Sequence, residues 1–92
     1  MPKDKRYISV KNLISGGYVK TLAEIFDTIP KSVVAKDLGI SLDRFTIMIN
    51  DVERFNVRKL FRMAQLIEVD EIMILNLIYQ QYQIDKKSKK KR

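Results

Sequence analysis

The side chains best placed to do chemistry in this sequence are hydrogen-bonding groups. In "LDRFTIMIN", residues 42–50, Arg44 and Asn50 can each make a pair of hydrogen bonds to a planar partner. A guanidinium fits the O6 and N7 of guanine, and a carboxamide fits the N6 and N7 of adenine. Thr46 can reach a base edge or a phosphate, Ile47 can touch a thymine methyl, and Leu42 opens the segment beside them. Asp43 is repelled by phosphate unless it accepts from a cytosine amino group. Lys31, Ser32 and Lys36 precede this stretch, and Arg54, Arg58 and Lys59 follow it, with Arg62 further on. These are candidate phosphate contacts, since cations and the free amides at a helix start both favour anions. A solvated charged face laced with Asp51, Glu53 and Glu68 gives the same pattern, most of all at Arg62.

Catalytic chemistry is poorly supplied. The chain has no cysteine and no histidine. That excludes a disulfide, a thiol nucleophile and Cys or His metal ligands, and it removes the commonest general base. No pair of carboxylates is spaced for acid–base work. The expectation is no enzyme, no metal site and no cofactor.

The elements that must position these side chains are helices. Only two prolines and three glycines interrupt 92 residues. Within Arg6 to Ser15, "YISV" has strand-like composition, but Val10, Leu13 and Ile14 are spaced i, i+3, i+4, which favours a short helix that Ser9 could cap and Gly16-Gly17 would end. "TLAE", residues 21–24, is a capping box, opening a short helix that ends near Thr28. Pro30 suits the first position of the next helix, running to Leu38. Gly39 supplies the left-handed geometry of a helix end. Ser41 then caps a helix from Leu42 to Asn50, with Asp43 near its positive end. "DVERF" reads as a loop. Asn56 caps a helix over Val57–Ile67 with apolar positions 57, 60, 61, 64 and 67. Asp70 caps a last helix from Glu71 to about Gln83.

Two helices joined by a three-residue turn cross closely, so the crossing needs a small residue and the turn needs glycine. Ala35 and Gly39 meet both demands, and Val34, Leu38, Ile40, Phe45 and Met48 can lock the pair from within. On these residues the sequence resembles the phage-repressor type of helix-turn-helix, the Cro or lambda-repressor-like class. The resemblance runs from about Thr21 to Leu77, through "TIPKSVVAKDLGIS", "RFTIMIND" and "NVRKLFRMAQLIEVDEIMILNL". It implies an all-α, compact four- to five-helix domain whose third helix enters the major groove of double-stranded DNA. A repressor helix usually presents Gln, Asn, Arg, Ser or Thr outward. Asp43 and Ile47 depart from that pattern.

The net charge is +7, but its location matters more. Residues 1–6 net +2 and residues 85–92, "DKKSKKKR", net +5, leaving residues 7–84 neutral. The expected organisation is a basic N-terminal arm over 1–6, the domain over 7–84 and a basic disordered tail over 85–92. Such a tail can hold phosphates without sequence preference, or simply solubilise. No apolar run reaches the ~18 residues of a membrane span, and the first residues lack a secretory apolar stretch. The expectation is a cytoplasmic protein.

The last helix is too apolar for one buried stripe. If Ile72, Leu75, Ile78 or Tyr79, and Tyr82 serve the core, then Met73, Ile74 and Leu77 are left for an interface, which suits a homodimer. The N-terminal segment of the same chain is the other candidate to cover them. Two functions remain in play: a sequence-specific DNA-binding regulator, or a protein-interaction module on the same fold.

Overall fold

The computed structural model describes residues 4–89, and side chains through Lys87. The protein is all-α: no strand occurs among the described residues. Helix α1 spans Arg6–Ser15, a 3-10 helix follows at Leu22–Asp27, and α2 and α3 span Lys31–Leu38 and Leu42–Asn50. A 3-10 turn at Val52–Arg54 leads to α4, Val57–Ile67, and α5, Glu71–Lys89.

The ends of these helices follow from a few residues. Ser41 Oγ accepts from the Arg44 amide at 3.2 Å, and Asn56 Oδ1 accepts from the Lys59 amide at 2.8 Å. Each supplies a first-turn amide with the acceptor the helix cannot provide. The Glu24 carboxylate accepts from the amides of Lys20 and Thr21, which holds its carboxyl below the usual range. Three helices close on a left-handed residue: Gly17 at φ +79, Gly39 at φ +76 and Glu68 at φ +67. After α2, the Gly39 amide donates to Lys36 O and the Ile40 amide to Ala35 O, both at 3.0 Å. That is the Schellman arrangement, in which a residue without Cβ takes the strained position. At Glu68 a side chain bears the same geometry.

Several expectations need correction. Ser9 lies inside α1, whose N-cap is Lys5. The capping-box segment winds as a 3-10 helix, and "DVERF" contains a turn of the same kind. Pro30 is the cap residue of α2 rather than its first helical one, and its carbonyl takes the Val33 and Val34 amides. On α4, Leu60, Met63, Ala64 and Ile67 are buried, whereas Val57 and Phe61 are exposed. The expected tail is helical from Asp85 to Lys89, since α5 runs through it, and residues 90–92 lie outside the described residues. Of the expected arm, Arg6 begins α1 and spends its charge on Asp4, at 2.7 and 2.9 Å; residues 1–3 lie outside the description.

The largest correction concerns α5. Met73, Ile74 and Leu77 do not face outward: Ile74 is 0% and Leu77 6% exposed, and Met73 packs half-buried on the core. Ile72, Leu75 and Tyr79, at 57%, 47% and 54%, face solvent instead. Both stripes have helical spacing, so periodicity alone cannot choose between them. The distant core decides it, by enclosing Ile74 and Leu77. Gln81 sits in phase with them, and its Oε1 accepts the Ala23 amide at 3.1 Å, tying α5 to the first 3-10 helix. Read as sequence, Gln81 looks like a break in that stripe.

The core gathers Tyr7, Val10 and Ile14 of α1, Leu22 and Ile25, Val34, Ala35 and Leu38 of α2, Phe45, Ile49 and the inward faces of α4 and α5. Phe45 is fully buried and meets Phe26 edge-on at 5.5 Å and Phe55 at 6.5 Å. These contacts hold α3 by its inner side and leave its outer side to solvent.

Candidate nucleic-acid interface

Three devices set the outer face of α3. Gly39 turns the chain in three residues, Ser41 fixes the first turn, and Phe45 with Ile49 anchors the inner face. Leu42, Asp43, Arg44, Ile47 and Asn50 are consequently exposed, with Thr46 and Met48 half-buried. Arg44 and Asn50 make no side-chain hydrogen bond within the described residues, so both present open hydrogen-bonding groups. Ile47 is 54% exposed in the middle of this face.

Arg44, Ile47 and Met48 also line a recess of about 300 Å³ with Arg54 and Asn56. The recess thus joins α3 to the start of α4. Arg54 comes from the 3-10 turn, whose amides bond back to Asp51 and Val52. Its Nε also donates to Asp51 Oδ2 at 3.1 Å, so part of its charge is answered locally.

The candidate phosphate contacts divide. Ser32 and Lys36 are exposed on α2, and Lys31 is half-buried at its first position. Arg58 is exposed on the first turn of α4. Lys59 and Arg62 have another job. The Lys59 ammonium donates to Leu38 O at 3.3 Å, and an Arg62 Nη to Asp37 O at 3.4 Å. Those carbonyls are unsatisfied acceptors at the negative end of α2, where cations are favoured. Lys59 and Arg62 therefore each link α4 to the end of α2, Arg62 from a solvent-exposed position.

Sequence reasoning missed a second link to α2. Tyr7 is 2% exposed, and its hydroxyl donates to Asp37 Oδ2 at 2.7 Å. Burial and the adjacent carboxylate push the tyrosine hydroxyl far above its usual range. Tyr7 is in phase with Val10 and Ile14, which is the one sequence signal of its burial; nothing local indicates a partner thirty positions on. Met48 and Asn56 were read as a packing residue and a cap, and both also line the recess.

Among the described residues no group of three or more acidic side chains is placed to hold a metal ion, and no helix is long and apolar enough to cross a membrane. No family model, no curated protein and no solved structure matches this chain.

Proposed function

We propose that the protein is a sequence-specific DNA-binding transcriptional regulator that reads the major groove with α3, acting as a homodimer. The observation that carries this reading is the outer face of α3, braced from within by Phe45 and Ile49, with Arg44 and Asn50 open to solvent. A short helix standing out on a three-residue turn can enter a groove about 12 Å wide. Arg44 reads guanine and Asn50 adenine, while Thr46, Ile47 and Leu42 complete the contact. Ser32, Lys36 and Arg58, with Lys31, supply phosphate contacts beside the groove. Arg54 contributes less than its charge suggests because Asp51 holds it. Such a target is reached in the cytoplasm, and the reading needs no cofactor.

The test is a polarisation titration on random and on selected duplex, each at two salt concentrations. Arg44→Ala and Asn50→Ala should each cost about 1–3 kcal/mol on the selected sequence and less on random DNA. Asp43→Asn should tighten binding to every duplex if Asp43 only repels phosphate, and weaken it at one position if it accepts from a cytosine.

A second reading is favoured by one observation: Ile47 is an exposed apolar residue on the same face as Arg44. On that reading the face docks a protein. If all three variants bind duplex like the parent, α3 is not the reader and this second reading replaces the first.

A further inference from the structure

We infer that the outer face of α4 is a second nucleic-acid surface, and that it takes a single strand. Bases lie against Val57 and Phe61, and phosphates against Arg58 and Arg62. The inference goes beyond the duplex reading and shares only Arg58 with it.

The face consists of two rows. Leu60, Met63, Ala64 and Ile67 bury one side of α4 in the core. Val57 and Phe61, one turn apart, stand outside it, 63% and 48% exposed. Arg58 and Arg62 follow them by one residue each, so they form a second row beside the first, and both are exposed. Gln65 is exposed one turn after Phe61, and helical phase sets it between the rows. The Arg58 side chain makes no hydrogen bond or ion pair among the described residues. Arg62 gives one Nη to Asp37 O at 3.4 Å, which leaves most of its five N–H donors open. No Asp or Glu occurs from 54 to 67. Glu53 and Glu68 lie beyond the two ends of the helix, and the Asp37 carboxylate takes the Tyr7 hydroxyl.

Charge and shape together select the occupant. A row of cations without a carboxylate among them suits a row of anions. Residues four apart on a helix have Cβ atoms roughly 5–6 Å apart, which matches the step between neighbouring phosphates of one strand. The apolar row beside it suits flat apolar surface in step with those anions. A nucleic-acid strand carries both, a base for every phosphate. In a duplex the base faces are buried in the stack, and phenylalanine has no group that reads a base edge. An unpaired base leaves its face open to an aromatic ring, whatever the base. Gln65 then offers a donor and an acceptor to the edge of the stacked base. A bilayer needs a far wider apolar stripe than two side chains.

The experiment is fluorescence polarisation of the full chain on labelled oligodeoxyuridine and oligouridine of about 20 nucleotides, which cannot pair with themselves, with a mixed-sequence duplex as control. The parent should bind both strands, more weakly as salt rises. Phe61→Ala should weaken single-strand binding roughly 5- to 20-fold, the lower part of what one stacked base contributes, and leave duplex affinity and the thermal melt unchanged. Phe61→Trp should bind the strand at least as well as the parent. Arg58→Gln and Arg62→Gln should each flatten the log–log salt slope for the strand by about 0.7. Equal affinities for the two oligomers mean that the face ignores the sugar; a tighter oligouridine assigns the strand to RNA, and a tighter oligodeoxyuridine to DNA. A parent that binds neither strand at low salt overturns the inference and leaves the face to an acidic protein. Single-strand binding that Phe61→Ala leaves unchanged also overturns it, because the basic end of the chain then holds the strand by charge alone. So does an equal loss on strand and duplex. None of these results depends on Arg44 or Asn50, so the two readings fail separately.

Discussion

Replacing Tyr7 with phenylalanine removes one oxygen and keeps a buried ring, so it isolates the bond from α1 to α2. The hydroxyl donates to Asp37 Oδ2 at 2.7 Å. Hydrogen bonds to a charged group are worth about 1.5–3 kcal/mol. Asp37 is half-buried, so water can replace part of what it loses, and the lower end of that range applies. About 1.5 kcal/mol in a domain of this size lowers the midpoint of thermal unfolding by roughly 6–12 °C. Burial, with the carboxylate second, also gives the hydroxyl a pH signature. The hydroxyl titrates above its ordinary value of 10.0 when folded. Between pH 10 and that raised value, the unfolded chain has lost the tyrosine proton and the folded chain keeps it. Stability is therefore fully present below pH 10 and falls as pH rises, by up to about 1.4 kcal/mol per pH unit. Tyr7→Phe should be less stable than the parent at pH 7 and should lose less stability between pH 9.5 and 11.5. The assay is urea unfolding at several pH values, with Asp37→Ala and the double variant closing a cycle. A loss under 0.5 kcal/mol at pH 7, a coupling near zero, or parallel pH curves for the parent and Tyr7→Phe would refute the reasoning.

Three further outcomes are expected. Ile74→Ala should cost about 2–5 kcal/mol, because the side chain is fully enclosed, whereas Ile72→Ala should change stability by less than about 0.5 kcal/mol; equal losses in chemical denaturation would show that the phase of α5 is wrong. Gly39→Ala should lose about 1–2 kcal/mol, since alanine resists the left-handed backbone. At the same geometry Glu68→Gly should gain up to about 1 kcal/mol, less whatever the glutamate side chain contributes, and matched thermal melts would expose a failure of opposite signs. Ser41→Ala and Asn56→Ala should each cost about 1 kcal/mol and shorten their helices at the first turn, as read by amide exchange; unchanged protection of the Arg44 and Lys59 amides would argue against the caps.

What was legible in the sequence was local. Ser41, Asn56, Gly17 and Gly39 each act within a few residues of themselves, so the bounds of α3 and α4 and the end of α1 followed from cap chemistry, while Ser9 misled at the start of α1. The helix after Pro30 was displaced by one residue for the same reason: proline is acceptable both as cap and as first helical residue. What was not legible depends on distant partners. Ile74 and Ile72 are equally apolar, and what separates the two faces of α5 is the distant core that encloses Ile74 and Leu77, with the bond from Ala23 to Gln81 on the same side. Lys59 looked like a phosphate contact because its sequence neighbours are cations, while its partner, the Leu38 carbonyl, lies at the end of another helix. On α3 the phase of Phe45 marked the inner face, while Met48, expected to lock the crossing with α2, is only half-buried and Ile49 is enclosed instead.

The hydrogen bond between Ala23 and Gln81 spans 58 positions, and this has a consequence for the order in which a newly made chain can fold. Helices α2 and α3 are joined by three residues, so they can pair as soon as both have left the ribosome. The 3-10 helix at Leu22–Asp27 cannot be completed then, because α5, which covers it, is made after α2, α3 and α4. Closing so long a loop is entropically costly and is repaid only when α5 docks. Until that moment Leu22 and Ile25, both fully enclosed in the finished domain, stand against water. A chain stopped before Gln81 should consequently collect in aggregates rather than as a smaller folded domain, and a soluble, cooperatively melting fragment ending at Asn76 would show that α5 is dispensable for closure.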